Sequence, residues 1–234
     1  MRARPGTSLS GDLYHLLRQS VLHGSLVAGE RLHLGRIAAA NQVSVGVVRE
    51  AVTRLASEHL LEATPQSGFR VQPISTERLI DLTWTRTQVE RLAVTESVLH
   101  GDTQWEGNVV AAHHVLSVTT LRGPDGSVTA AWMDAHRRFH AVLVNGCTHP
   151  MLLSIRQQLS DQAELYRHRS SDDADQPRDV AGEHRALVDA ALARDITGVA
   201  ELLVGHIETT AHVAGRALAA DAAPLSTSLE RKAS

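Results

Sequence analysis

Four histidines carry the chemistry this chain could perform. Fourteen histidines stand among 234 residues, and the placement of four is more telling than the number. On a 3.6-residue turn, Trp132, Met133, His136, Phe139, His140 and Leu143 fall on one stripe. His136 and His140 therefore project from the apolar side of one helix, a turn apart, a spacing that lets two imidazoles share one metal ion. His184 shares a stripe with Val180, Leu187, Val188 and Ala191, and His206 with Val199, Leu202, Leu203, Thr210 and Val213. Four imidazoles from three helices thus point inward. Each buried polar group left unpaired costs roughly 1–3 kcal/mol, and a shared ion removes that cost in one step. The competing reading is four core histidines with ordinary hydrogen-bond partners.

Two further residues stand on apolar stripes. Arg86 lies with Leu79, Leu82, Val89 and Ala93. Its partner is either Glu90, one turn on, or a buried anion, and a guanidinium fork suits a carboxylate. His113 lies with Val109, Leu116 and Thr120 as a core or pocket residue and is, with Arg86, a candidate to bind an effector. Asp134, six residues before His140, falls on the opposite side of its helix and is a weaker ligand candidate.

The elements that must position these groups are helical. From Glu77 to about Ala220 the apolar residues keep helical spacing, with breaks near 101–107, 123–126, 145–150, 170–178 and 195–198. That implies about six helices packed as a bundle. An apolar fraction of 43% with only 3% aromatics fits such a core. Residues 74–76 form a linker, and residues 221–234, small and polar, read as a disordered tail. No apolar run approaches the roughly 18 residues of a membrane span. The first residues lack the apolar segment of a signal peptide, and one cysteine, Cys147, excludes an internal disulfide. The expectation is a soluble protein of the cytoplasm.

Residues 1–73 have a different organisation. Leu9, Leu13, Leu16, Leu17 and Val21 repeat at helical spacing up to Gly24, and Leu34 to Ala40 form a short second helix. Asn41-Gln42-Val43 turns, and Ser44 caps a third helix with Val47, Val48, Ala51, Val52 and Leu55 inward. Leu60 to Thr64 and Phe69 to Gln72 are strand-like around the turn Pro65-Gln66-Ser67-Gly68. Helix, turn, helix and wing is the order of a winged helix-turn-helix, which places one helix in a DNA major groove. Net charge divides accordingly, with +3 on residues 1–73 and −6 on the rest, so phosphate attraction would be local to the first third. The alternative is a winged helix that serves as a protein-interaction surface.

The pattern Ala28-Gly29-Glu30-Arg31-Leu32, Ile37-Ala38, Val43-Ser44, Val48-Arg49-Glu50-Ala51, Arg54-Leu55-Ala56 and Leu60-Leu61 resembles the DNA-binding domain of the GntR family. The resemblance covers about residues 9–73 and implies a bacterial transcriptional regulator, usually dimeric. It points to Arg36, Ser44, Gly46 and Arg49 as DNA-facing residues, with Gln66, Ser67 and Gly68 from the wing. The family usually has Ser-Arg-Thr-Pro where this chain has Ser44-Val45-Gly46-Val47, which removes an arginine that commonly contacts base or phosphate. The family's second-helix arginine, expected at Gly35, stands one place later as Arg36.

Further on, Arg137-Arg138-Phe139-His140, Glu183-His184 and His206 look like the FCD-type ligand domain of FadR-like members of that family. The resemblance implies an all-helical bundle that in many members holds a metal through one Asp and three His. His140, His184 and His206 match the three histidines, and the family's Asp falls at His136. Imidazole in place of carboxylate removes a negative charge and favours zinc or nickel over harder ions. Arg86-Thr-Gln-Val-Glu90 resembles the opening FCD helix, whose arginine grips an organic acid. Together these imply a mostly α protein, a winged helix-turn-helix followed by an all-helical FCD-type bundle. The implied function is repression of a palindromic double-stranded operator by a homodimer under control of a small carboxylate. Two alternatives remain: a metal-dependent hydrolase using the histidines, and a regulator whose metal is purely structural.

Overall fold

The computed structural model describes residues 8–64, 68–170 and 178–222. Helix α1 (Leu9–Leu22) starts where the Ser8 side chain accepts from Gly11 N and ends before Gly24, whose φ of +74° favours glycine. It buries Leu13, Leu17 and Val21 but leaves Leu9 and Leu16 exposed, so its apolar stripe is narrower than the sequence implies. A two-residue strand, β1 (Arg31–Leu32), precedes α2 (Leu34–Asn41) and α3 (Val45–Ser57). Strands β2 (Leu61–Thr64) and β3 (Gly68–Val71) follow, and the sheet runs β1-β3-β2, all antiparallel. β1 has no counterpart in the sequence reading, because two residues are too few to show alternation.

Among the described residues six helices succeed the wing: α4 (Thr76–His100), α5 (Thr103–Val118), α6 (Ala130–Leu143), α7 (Pro150–Ser170), α8 (Val180–Leu192) and α9 (Ile196–Ala222). Ser75 caps α4, its hydroxyl accepting from Arg78 N, so Thr76 at the end of the expected linker already belongs to the helix. Two expected breaks are shorter than their glycines suggest. Gly107 lies inside α5, and Gly198 lies in the first turn of α9, where its N–H donates to Asp195. Leu202, placed with the inward stripe of α9, is instead 40% exposed.

Helices α4, α7 and α9 pack on one another, and α5, α6 and α8 complete the bundle. Two apolar clusters result. One lies within the bundle around Phe139, Leu143, Leu187 and Leu203. The other joins the DNA-binding third to the bundle, because Leu13, Leu55 and Val71 share it with Leu79, Leu82, Leu165, Tyr166 and Ala214. Among the described residues no helix is long and apolar enough to cross a membrane.

Candidate metal centre and DNA-facing surface

Helices α6, α8 and α9 bring the four histidines together. His136, His140, His184 and His206 are all buried, and one ligand atom from each lies within 4.8 Å of the others. Trp132 stacks on His136 at 4.8 Å, and Phe139 sets its edge against both His140 and His184. These walls keep water away and fix the rings.

Burial holds His136 and His140 well below the ordinary histidine range, with Arg167 adding to the effect at His136 and His206 at His140. His184 is pushed down to about 2 by burial. Neutral imidazole is the form that binds a metal. The fit to a cation rests on two orphaned atoms: His136 Nδ1 and His184 Nε2 are buried without a hydrogen-bond partner. A divalent ion taking one nitrogen from each ring would give the buried imidazoles a shared partner, and four nitrogen donors suit zinc or nickel. In a six-coordinate ion four histidines leave two positions open.

Glu183 contributes a residue that spacing alone did not single out. Its Oε2 lies 2.6 Å from His206 Nδ1, and Arg178 donates to both of its oxygens. A carboxylate can only accept, so the proton stands on Nδ1 and Nε2 of His206 is left for a ligand's role. Burial alone would raise the Glu183 carboxyl, but the bonds from His206 and Arg178 hold it down to about 2. Asp134 lies away from the cluster, paired with His23 and Arg137. His113 sets its ring 5.8 Å from that of Phe139 and is not one of the four clustered histidines.

Arg86 is buried beside the cluster, and its partner is the nearer of the two that the sequence allowed. Its Nε donates to Glu90 Oε1 at 3.3 Å. The other Glu90 oxygen accepts from Arg156 Nε at 3.0 Å. Arg167 donates to Glu164, and its Nη1 lies 3.3 Å from His136 Nε2. Three guanidinium groups therefore face two carboxylates, Glu90 and Glu164, both 1% exposed. Arg156 and Arg167 stand on α7, whose stripe the sequence reading did not trace. Arg86 and Arg167 line a cavity of about 20 Å³ with Thr83, Tyr166 and Thr210, room for about one water.

On the DNA-binding third, the Ser44 hydroxyl accepts from Val47 N and caps α3. Arg36, Ser44, Gly46 and Arg49 are all exposed. Among the described residues Arg36 and Arg49 make no side-chain hydrogen bond or ion pair, whereas Arg54 stacks on Tyr14 at 3.8 Å and pairs with Glu58. Arg49 is thus the uncommitted cation of α3. Val45, at the position where an arginine is usual, is 45% exposed. Gly68 opens β3 at a φ of +84°, which favours glycine. Gln66 and Ser67 lie outside the described residues.

Residues 9–71 match the model for bacterial regulatory proteins of the gntR family, and residues 81–209 match the FCD domain. The chain is 37% identical over 209 residues to the uncharacterized HTH-type transcriptional regulator BphR of Paraburkholderia xenovorans (strain LB400), covering 88% of this chain and 85% of that one. It is 30% identical over 217 residues to the HTH-type transcriptional repressor GlaR of Escherichia coli (strain K12), covering 91% and 98%. Among solved structures, E. coli McbR/YncC superposes with a TM-score of 0.76 at 21% identity over 90% of this chain and 98% of that one. A putative transcriptional regulator GntR from Rhodococcus sp. RHA1 gives 0.71 at 23% identity, over 89% and 99%. These two likenesses bear on the fold.

Proposed function

The chain belongs to the GntR family of transcriptional regulators and carries an FCD domain, and from that premise we propose a ligand-controlled repressor that works as a cytoplasmic homodimer. The observation that supports this most is the convergence of four buried imidazoles, two with orphaned nitrogens, in a bundle that shares an apolar cluster with the DNA-binding third.

In this reading α3 enters the major groove of a palindromic operator. Arg49 and Arg36 reach a base edge or phosphate, and the wing around Gly68 approaches the minor groove. Ser44 has a second capacity: its oxygen accepts at the cap while its hydroxyl proton remains available to a phosphate.

His136, His140, His184 and His206 would hold the metal, which supplies positive charge and open positions to a ligand's oxygen atoms. Glu183 fixes the donor atom of His206. The effector is a small carboxylate. Its support is Arg86, which is buried and lines the cavity beside the histidines, since a guanidinium fork suits a carboxylate. The cavity beside Arg86 has room for about one water, so a larger acid enters only as α4, α7 and α9 move apart. That displacement gives the ligand its preference for one pose, without which binding would shift nothing.

Metal analysis of the purified protein, with operator footprinting in the presence and absence of candidate organic acids, tests the reading. One zinc or nickel per chain and acid-dependent release are expected. Arg86→Ala leaves Glu90 its second partner, Arg156, so DNA binding should persist while release by acid is lost. Release that survives this change refutes the pocket assignment.

A further inference from the structure

The side chains around the four histidine rings differ in their own cover. Phe139 is fully buried and Trp132 is 9% exposed, and the Arg167 side chain beside His136 is 12% exposed. Arg178 and Glu183, against His206, are 20% and 31% exposed. Among these five the two against His206 lie nearest solvent, and His206 is the most exposed of the four rings, at 7%. Arg178 fastens this side. Its Nε and Nη2 donate to the two Glu183 oxygens at 2.6 and 2.5 Å. Its Nη1 donates to Thr210 Oγ1 at 2.8 Å, and Nη2 also donates to His206 O at 3.0 Å. One guanidinium thus straps α8, which bears Glu183, to α9, which bears His206 and Thr210. Arg178 itself precedes α8, whose cap is Asp179, so it can swing out without unwinding a helix.

We propose that Arg178 and Glu183 form the entry site through which a divalent cation reaches the histidines, Glu183 as its first oxygen donor and Arg178 as the strap that closes behind it. The proposal rests on the metal reading above and adds the route to the centre. Charge selects this side. The cavity on the other side of the rings is lined by Arg86 and Arg167, whose positive charges repel a dication and draw an anion. With Arg178 swung away, Glu183 keeps one oxygen on His206 Nδ1 and has the other free, a donor type that suits a dication. His206 Nε2, left for a ligand's role, is the next donor inward. Opening is cheap for a pair in partial contact with water, because water takes over the donors as they leave. Cation and anion then reach the centre from separate sides, and loading needs no parting of α4 and α7.

Zinc uptake by the chelator-stripped full chain tests this, with loading followed against a chromophoric indicator and removal followed with excess chelator. Arg178→Ala should speed both loading and removal by about tenfold or more, the factor for losing charge-assisted hydrogen bonds that hold the closed state. Because Glu183 keeps its bond to His206, the equilibrium affinity should stay within about threefold of the wild type. A residue that merely braces the fold would speed removal alone and lower the affinity, and that result overturns the proposal. Should Arg178→Ala fail to fold, Arg178→Lys gives a second measure. An ammonium cannot span Glu183, His206 and Thr210 together, so loading should be several-fold faster than in the wild type, and wild-type speed would count against the strap. Arg185→Ala, which removes an exposed cation beside His184, controls for charge and should leave both rates unchanged. A wild type that binds no zinc sinks the metal reading and the entry site with it. Zinc bound by wild type and Arg178→Ala at one loading rate overturns the entry site alone. Equal acceleration by Arg185→Ala does the same, since charge and not the strap would then set the rate.

Discussion

Replacing Glu90 by glutamine tests the charge arrangement on which the effector reading depends. Each Glu90 oxygen accepts from a different arginine, and all three groups are almost fully buried: Arg86 is 6% exposed, Arg156 3% and Glu90 1%. The amide keeps the shape of the carboxylate and removes its charge, so two guanidinium groups are left in the interior without it. Removing one partner of a buried pair costs about 3–5 kcal/mol, and the presence of two orphaned cations argues for the upper end. For a chain of this length each kcal/mol lowers the thermal midpoint by about 2–4 °C, giving a drop of about 6–20 °C. Glu62→Gln is the control. Its ion pair with Arg70 is 38% and 45% exposed and should cost less than about 1 kcal/mol. Denaturant midpoints at unchanged slope give the numbers. Arg156→Met added to Glu90→Gln should recover part of the loss by removing one stranded charge. A small carboxylate that enters the chamber should stabilise Glu90→Gln more than the wild type. A Glu90→Gln cost no larger than that of Glu62→Gln, or no recovery on adding Arg156→Met, would refute the reasoning.

Arg49→Ala should weaken operator binding by about 1–3 kcal/mol if Arg49 reads a base edge. In gel-shift titrations Arg54→Ala should alter folding stability more than DNA affinity, since Arg54 is engaged with Tyr14 and Glu58. Glu183→Gln should lower metal affinity by about 10–100-fold in competition with a chromophoric chelator, the usual effect of losing a ligand's hydrogen-bond partner; unchanged affinity would detach Glu183 from the centre. Acid should destabilise the metal-stripped protein. The four histidines have depressed folded pKa values, about 2 for His184, so the unfolded chain takes up protons that the folded chain refuses. Their stabilising contribution is complete above about pH 6.5 and is lost as pH falls towards the folded values, by at most about 1.4 kcal/mol per pH unit for each histidine. A urea midpoint that stays flat from pH 7.5 to 5.5 would show that the rings are not held neutral.

The histidine cluster was legible because helix periodicity is rigid. Once His136 and His140 stand on one stripe with Phe139, the direction of both rings follows, and the same holds for His184 with Leu187 and for His206 with Leu203. The winged helix was legible for the same reason, aided by Ser44, whose capping role its position announced. What periodicity could not give is the partner across a packing interface. Glu90 was visible as a neighbour of Arg86 on α4, but Arg156 on α7 was not, because the approach of two helices 66 residues apart in the chain leaves no mark in either. The contact of Glu183 with His206 was not legible for a related reason. Glu183 sits next to a stripe histidine, on the flank of α8, and reaches His206 only because α9 packs there. Leu202 misled in the opposite way, since an apolar residue at a stripe edge does not reveal which helix covers it.

The helices that carry the chamber also carry the polar contacts to the DNA-binding third. α6 turns His136 and His140 inward and presents Asp134 and Arg137 on another side, where His23 Nε2, at the end of α1, lies 2.9 Å from Asp134 Oδ1. α7 turns Arg156, Glu164 and Arg167 towards the cluster and presents Asp161 to Arg18 of α1. Helices move as packed rods rather than bending residue by residue. An adjustment of α6 to bring His136 and His140 onto one ion, or of α7 to admit an anion beside Arg167, therefore acts on α1 as well. α1 packs directly on α3, the helix that bears Arg49. The path from the buried histidines to the DNA-facing surface then needs no long relay: it crosses one helix, one ion pair and one apolar contact.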